Sequence, residues 1–120
     1  CDLRCDRLAQ LHGACLEDRS GLLVSEYMPG GDLERYIRGR RPAPHQPWVP
    51  PGPDVVRWAL ALAEALEYLH ECCSPPLVHG NLRPSALLLS ADRSLKLSLC
   101  GVLSPLEHGV KDGDTSLANC

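Results

Sequence analysis

Leu77-Val78-His79-Gly80-Asn81-Leu82-Arg83-Pro84-Ser85-Ala86-Leu87-Leu88-Leu89, followed after five residues by Leu95-Lys96-Leu97-Ser98-Leu99-Cys100-Gly101, is the stretch whose reading decides the fold. Ala86 to Leu89 and Leu95 to Leu99 are apolar and of strand length, and Ala91-Asp92-Arg93-Ser94 between them has the composition of a turn. The two runs are predicted to pair as a hairpin. Leu77-Val78 is a shorter apolar piece. From Gly101 to Cys120 the tail is polar and glycine-bearing, with no convincing element.

Just upstream, Asp54 to Cys72 carries the strongest periodic signal in the chain. Val55, Ala59, Leu62, Leu66 and Leu69 recur at helical spacing, and Trp58, Ala65 and Tyr68 widen that face. Arg57, Glu64, Glu67 and Glu71 fall together on the other side. Glu64 and Glu67 are read as a solvated face rather than a carboxylate pair for acid–base work. Pro53 and Asp54 suit a first helical turn, and Pro75-Pro76 prevents continuation.

Between Gly39 and Pro53 lie six prolines and two glycines with little periodicity, the pattern of a solvated surface connector. Its polyproline-like character leaves a second reading open, a ligand for a proline-reading domain. Asp32 is placed to N-cap a short helix, Leu33 to Arg38, with Leu33, Tyr36 and Ile37 on one side. Leu22 to Met28 reads as a buried strand stopped by Pro29-Gly30-Gly31. Residues 8–16 read as another, with a polar turn at 17–21, so an antiparallel hairpin is expected.

A length of 120 residues allows one modest domain, and 44% hydrophobic with 22% charged residues argues against gross disorder. The net charge of -3 leaves no basic stripe for nucleic acid. No apolar run reaches membrane-spanning length, and no signal peptide is recognisable. Seven cysteines, an odd number without a regular framework, read as reduced thiols in a cytosolic domain, with a disulfide framework as the minority alternative. The first residue is Cys1 and the only methionine is Met28, which suggests a piece of something longer. His70, Cys72, Cys73 and His79 form a candidate metal module. Their spacing matches no known zinc pattern, and adjacent Cys72 and Cys73 cannot easily face one ion from a helix.

His79 to Leu89 closely resembles the protein-kinase catalytic loop, His-Arg-Asp-Leu-Lys-Pro-Ser-Asn-Ile-Leu-Leu, aligned on Pro84. Leu99-Cys100-Gly101 stands where Asp-Phe-Gly normally follows. Three further blocks match in order: the opening stretch, Leu22 to Leu33 as the strand and hinge, and the helix ending Leu66-Glu67-Tyr68-Leu69-His70. Together they cover residues 8 to about 103, and Leu69 to His79 looks especially like plant receptor-like kinases and the tyrosine-kinase-like group. The implied fold class is α+β, a partial protein-kinase-like fold. Residues 1–28 would end the N-lobe, 29–53 form hinge and linker, 54–103 hold the C-lobe helix and catalytic-loop region, and 104–120 begin the activation segment.

The resemblance implies roles position by position. Ser25 falls at the gatekeeper, the backbones of Glu26 and Met28 at the hinge that binds adenine, Asp32 at a ribose contact, and Leu88 on the apolar floor beneath the base. ATP is therefore a possible cofactor. The chemical positions have changed. Asn81 stands at the catalytic base, a loss worth about 10²–10⁴ in rate, and Arg83 replaces the loop lysine. Ala86 and Leu99 replace the two metal ligands and offer no oxygen, so Mg²⁺ is not expected. Gly80 replaces the arginine that holds a phosphorylated activation loop. His79, read as a packed loop histidine, and Leu11 fall in the family's hydrophobic column, where Cys100 replaces the usual Phe.

No glycine-rich phosphate loop, strand lysine, helix glutamate, Ala-Pro-Glu segment or large buried helix is recognisable, so the apolar face of the 54–72 helix should be left partly uncovered. The implied function is a pseudokinase segment, a signalling scaffold or allosteric module with protein partners. An active Ser/Thr-type protein kinase is the alternative. The same resemblance implies the cytoplasmic side of a membrane, or the cytoplasm itself.

Overall fold

The computed structural model describes residues 4–15 and 21–99, together with the backbone of 104–105. Expectations for the turn at 17–20, for Cys100 and Gly101, and for most of the tail lie outside the described residues.

Helix α1 (Leu33–Gly39) and helix α2 (Gly52–Glu67) are the two α-helices among them. Pro53 occupies the first turn of α2, where an absent amide costs nothing, and Asp54 sets a negative charge beside the free amides there. A single π-helical turn, Tyr68–Cys72, prolongs α2, and the chain becomes extended at Cys73. The buried stripe runs through Trp58, Ala61, Ala65, Leu69 and Cys73. It follows one edge of the expected face, which supplies Trp58, Ala65 and Leu69: Val55 and Ala59 are exposed, Leu62 and Leu66 half-buried. Ala61 and Ala65 are small side chains buried in the core where α2 meets the facing sheet.

That sheet is built from β3 (Gly31–Asp32), β5 (Leu87–Leu89) and β6 (Leu95–Leu97), with β5 in the centre. The predicted hairpin is present and antiparallel, pairing Leu87 with Leu97, Leu88 with Lys96 and Leu89 with Leu95. Its strands are shorter than expected, since Pro84–Ala86 winds into a 3₁₀ turn. Side chains alternate across a pleat, so Leu87, Leu89, Leu95 and Leu97 enter the core while Leu88 and Lys96 share the opposite face. In the connecting turn the Asp92 carboxylate accepts the Ser90 hydroxyl and, at 3.1 Å, the Ser94 amide. Those hydrogen bonds, led by Ser90, hold its carboxyl down to about 2.

Residues 7–9 cover the free edge of β6. The Ala9 amide donates to the Leu97 carbonyl at 2.9 Å, and the Leu97 amide donates to the Arg7 carbonyl at 2.8 Å. This sinks Leu8 beside Leu69, Leu89, Leu95 and Leu97, the largest fully buried side chains. Arg7 also reaches Glu64 at 2.6 Å, so the polar face of α2 is ion-paired there rather than merely solvated. Strand β4 (Leu77–Val78) pairs antiparallel with β7 (Ser104–Pro105).

Strands β1 (Leu11–Cys15) and β2 (Leu22–Ser25) form the expected antiparallel hairpin, irregular between Leu11 and Gly13. The expected burial of 22–28 is corrected. Leu22 is 65% and Val24 55% exposed, and Tyr27 projects into solvent, because no described element covers either face of this two-stranded sheet. Met28 alone in that run is buried. Leu11 is exposed as well and lies outside the core cluster that His79 adjoins.

Asp32 caps α1 as expected, its carboxylate accepting the Arg35 amide at 2.9 Å. Leu33 and Tyr36 pack on the core from that helix. The Tyr36 ring meets Trp58 edge-on at 5.9 Å, and the Trp58 indole N–H donates to the Arg93 carbonyl at 2.9 Å. Between α1 and α2, beside Leu33, Ile37, Val55, Trp58, Leu62 and Leu95, an open apolar groove of about 330 Å³ remains, in line with the partly uncovered helix face that the resemblance implied.

Candidate functional site

The loop from His79 to Ala86 is held by its histidine. His79 is buried, and its Nε2 lies 2.7 Å from the Ser98 carbonyl, while the Asn81 amide donates to Nδ1 at 3.2 Å. A carbonyl only accepts and an amide N–H only donates, so the proton sits on Nε2. Both ring nitrogens are used in fixing the loop, which is a packing role. Gly80 has φ of 74°, a left-handed conformation that glycine enters without a Cβ clash.

Asn81 is half-buried and Arg83 is exposed, with no ion pair to Arg83 among the described residues. Ala86 and Leu99 are both buried. The Ser98 amide donates to the Ala86 carbonyl at 2.8 Å, and Ala86 and Leu99 both enter the hydrophobic core cluster with hydrocarbon side chains. Neither side chain offers an oxygen, and Mg²⁺ requires hard oxygen ligands, so these two residues do not fit the ion.

Along the β3 edge of the sheet, residues 28–32 meet the hairpin. Register pairs Asp32 with Leu88 and Gly31 with Leu89, and the Gly30 amide donates to the Leu89 carbonyl at 2.9 Å. A Cβ on Gly30 would lie 2.7 Å from that carbonyl oxygen and 2.9 Å from the Ser90 oxygen, so only glycine permits this approach. Met28, Asp32 and Leu88 are therefore gathered, whereas Ser25 sits exposed at the end of the β1–β2 hairpin. Among the described residues, no backbone hydrogen bond engages the Glu26 carbonyl or the Met28 amide.

Two residues that sequence reasoning missed complete this region. Lys96 Nζ lies 2.8 Å and 3.1 Å from the Glu26 carboxylate oxygens. The Gln10 amide donates to the same carboxylate at 3.1 Å, and the Glu26 amide donates to the Gln10 carbonyl at 2.7 Å. The hydrogen bond from Lys96, then that from Gln10, holds the Glu26 carboxyl below its usual range against the effect of burial. A signal was present: Lys96 is the one charge inside Leu95-Lys96-Leu97-Ser98-Leu99. Gln10 offered none, since it contributes only backbone.

The candidate metal module is not assembled. His70 and Cys72 are exposed while Cys73 and His79 are buried, and no group of three or more His, Cys, Asp or Glu side chains is gathered among the described residues. Burial, and secondarily the neighbouring Cys72, push the Cys73 thiol up. No helix among them is long and apolar enough to cross a membrane.

A family model described as protein tyrosine and serine/threonine kinase matches residues 1–118. Receptor-like kinase TMK2 of Arabidopsis thaliana is 33% identical over 117 residues, covering 92% of this chain and 12% of that protein. Salt tolerance receptor-like cytoplasmic kinase 1 of Oryza sativa subsp. japonica is 39% identical over 95 residues, 79% of this chain and 26% of its own length. The chain thus spans about a quarter or less of these relatives. Among solved structures, the pseudokinase domain of BIR2, described as an immune regulator of the RLK/Pelle family, superposes with a TM-score of 0.68 and 29% identity. That match covers 81% of this chain and 29% of that one.

Proposed function

The chain belongs to the protein tyrosine and serine/threonine kinase family, in its receptor-like group, and from that premise we propose that it is the central segment of a pseudokinase, a signalling scaffold or allosteric module without phosphotransfer. One observation carries this reading: the positions that would ligate Mg²⁺ hold Ala86 and Leu99, buried and joined through the Ser98 amide. Phosphoryl transfer depends on positioning and on neutralising phosphate charge. Asn81 at the base position carries no charge and takes up no proton at neutral pH, and Arg83 supplies a cation without a partner metal.

The nucleotide base is a separate question from the phosphates. The Glu26 carbonyl and Met28 amide, without a backbone hydrogen bond among the described residues, and Leu88 on the face it shares with Lys96, support a shelf for adenine. On this reading ATP binds as a structural ligand that stiffens the hinge, and protein partners, met on the cytoplasmic side, read the resulting shape. The likeness to the BIR2 pseudokinase domain supports it. Relatives named as serine/threonine-protein kinases favour the contrary reading, retained transfer.

The test is γ-phosphate transfer to a generic protein substrate by the full domain that carries this chain. The unaltered domain is expected to transfer nothing above the uncatalysed background. Mg²⁺-dependent transfer abolished by Arg83→Ala would overturn the proposal. The triple variant Asn81→Asp, Ala86→Asn, Leu99→Asp supplies the missing oxygens and serves as the comparison for metal binding.

A further inference from the structure

We propose that the exposed arc from Arg41 to Pro47 is a docking peptide for a proline-reading domain of the SH3 class, a module with an aromatic-lined groove and an acidic rim. The reading is independent of whether the kinase-like domain transfers phosphate. Within Arg41-Pro42-Ala43-Pro44-His45-Gln46-Pro47, an arginine and two prolines stand three residues apart. A polyproline II helix has three residues per turn, so in that conformation Arg41, Pro44 and Pro47 line one edge. Such an edge fits aromatic slots for the two prolines and a carboxylate for the guanidinium.

Three features of the structure present this edge. Every residue from Gly39 to Pro47 is exposed, and none of them belongs to the core cluster. Arg41 makes no ion pair among the described residues, whereas its neighbour Arg38 is bound to Glu34 at 2.6 Å. The arc also has a fixed neck. The Arg40 guanidinium lies 5.0 Å over the Tyr36 ring, and Trp48 meets the same ring edge-on at 6.0 Å. Tyr36 thus clasps both ends of the arc and leaves its seven residues projecting.

The proline run beyond the neck does not compete, because Trp48 and Pro50 are half-buried against the fold. Adopting the bound form has an identifiable cost. The Gln46 amide donates to the Ala43 carbonyl at 3.0 Å, and this exposed turn must open. Proline fixes φ near the polyproline value beforehand, so little further ordering is required.

The experiment titrates the domain carrying this chain into a panel of purified SH3 domains that read Arg-x-x-Pro-x-x-Pro ligands, followed by calorimetry. Tryptophan emission gives a second readout, since Trp48 and Trp58 both touch Tyr36. At least one panel member is expected to bind. The double variant Pro44→Ala, Pro47→Ala should weaken it by about tenfold or more, and Arg41→Glu similarly. Pro42→Ala, off the edge, should leave it within about twofold. All four substituted positions are exposed, so thermal unfolding should not move. No binding by any member, or binding that survives Pro44→Ala, Pro47→Ala, overturns the proposal.

Discussion

Replacing Lys96 by methionine removes the ammonium that ties the hinge to the β5–β6 hairpin while keeping the length of the side chain. The Glu26 carboxylate then keeps only the Gln10 amide at 3.1 Å. Lys96 and Glu26 side chains are 24% and 31% exposed, between the freely solvated and fully buried cases. Exposed ion pairs are worth under 1 kcal/mol and charge-assisted hydrogen bonds more, so Lys96→Met is expected to cost about 1–2 kcal/mol. The pH dependence has a defined sign. Because Lys96 and Gln10 lower the Glu26 carboxyl, its stabilisation is complete above the usual glutamate value of 4.5 and is lost as pH falls through the lower folded value. Urea unfolding of wild type, Lys96→Met, Glu26→Gln and the double variant, at about pH 7 and about pH 3, closes the cycle. A coupling near 1 kcal/mol at the higher pH that shrinks at the lower one is the expected result. A coupling below about 0.3 kcal/mol, or one unchanged by acid, would refute the clasp.

Gly30→Ala forces a Cβ against the Leu89 and Ser90 carbonyl oxygens at 2.7 and 2.9 Å. A loss of about 1–3 kcal/mol in denaturant unfolding is expected, and a neutral substitution would show that the turn yields. Leu69 is fully buried and Leu60 is 59% exposed on the same helical stretch. Leu69→Ala should therefore cost about 2–5 kcal/mol and Leu60→Ala under about 0.5; equal costs would contradict the burial of Leu69 in the core. Adjacent thiols should differ too. Iodoacetamide is expected to modify exposed Cys72 well before buried Cys73, as read by peptide mass spectrometry, and equal rates would count against the burial.

The elements legible in sequence were those whose signal is local. Asp32 announces α1 by its capping chemistry, Pro53 the start of α2, and Leu87 to Leu89 with Leu95 to Leu97 their hairpin. What sequence missed depends on partners. Leu22-Leu23-Val24 reads as buried from hydropathy, yet nothing described packs on it, because burial is a property of neighbours rather than of residue type. The sequence pattern puts Trp58, Ala65 and Leu69 on the core face of α2, as the structure has them, but centres that face too near Val55 and Ala59 for a related reason. Large residues outweigh small ones in a periodic reading, and Ala61, which it leaves out, is buried beside Ala65. At the site, Asn81, Ala86 and Leu99 could be aligned by pattern, and the structure adds that Ala86 and Leu99 lie buried together. The Glu26–Lys96 pair spans 70 residues of chain, a separation that no local pattern encodes.

The loss of the metal site is tested most directly by thermal unfolding of the full kinase-like domain with ATP, in the presence and absence of Mg²⁺. Ala86 and Leu99 offer the ion no oxygen, so Mg²⁺ should add nothing to the stabilisation that ATP gives alone. A stabilisation that appears or grows only when Mg²⁺ is added would contradict the pseudokinase account.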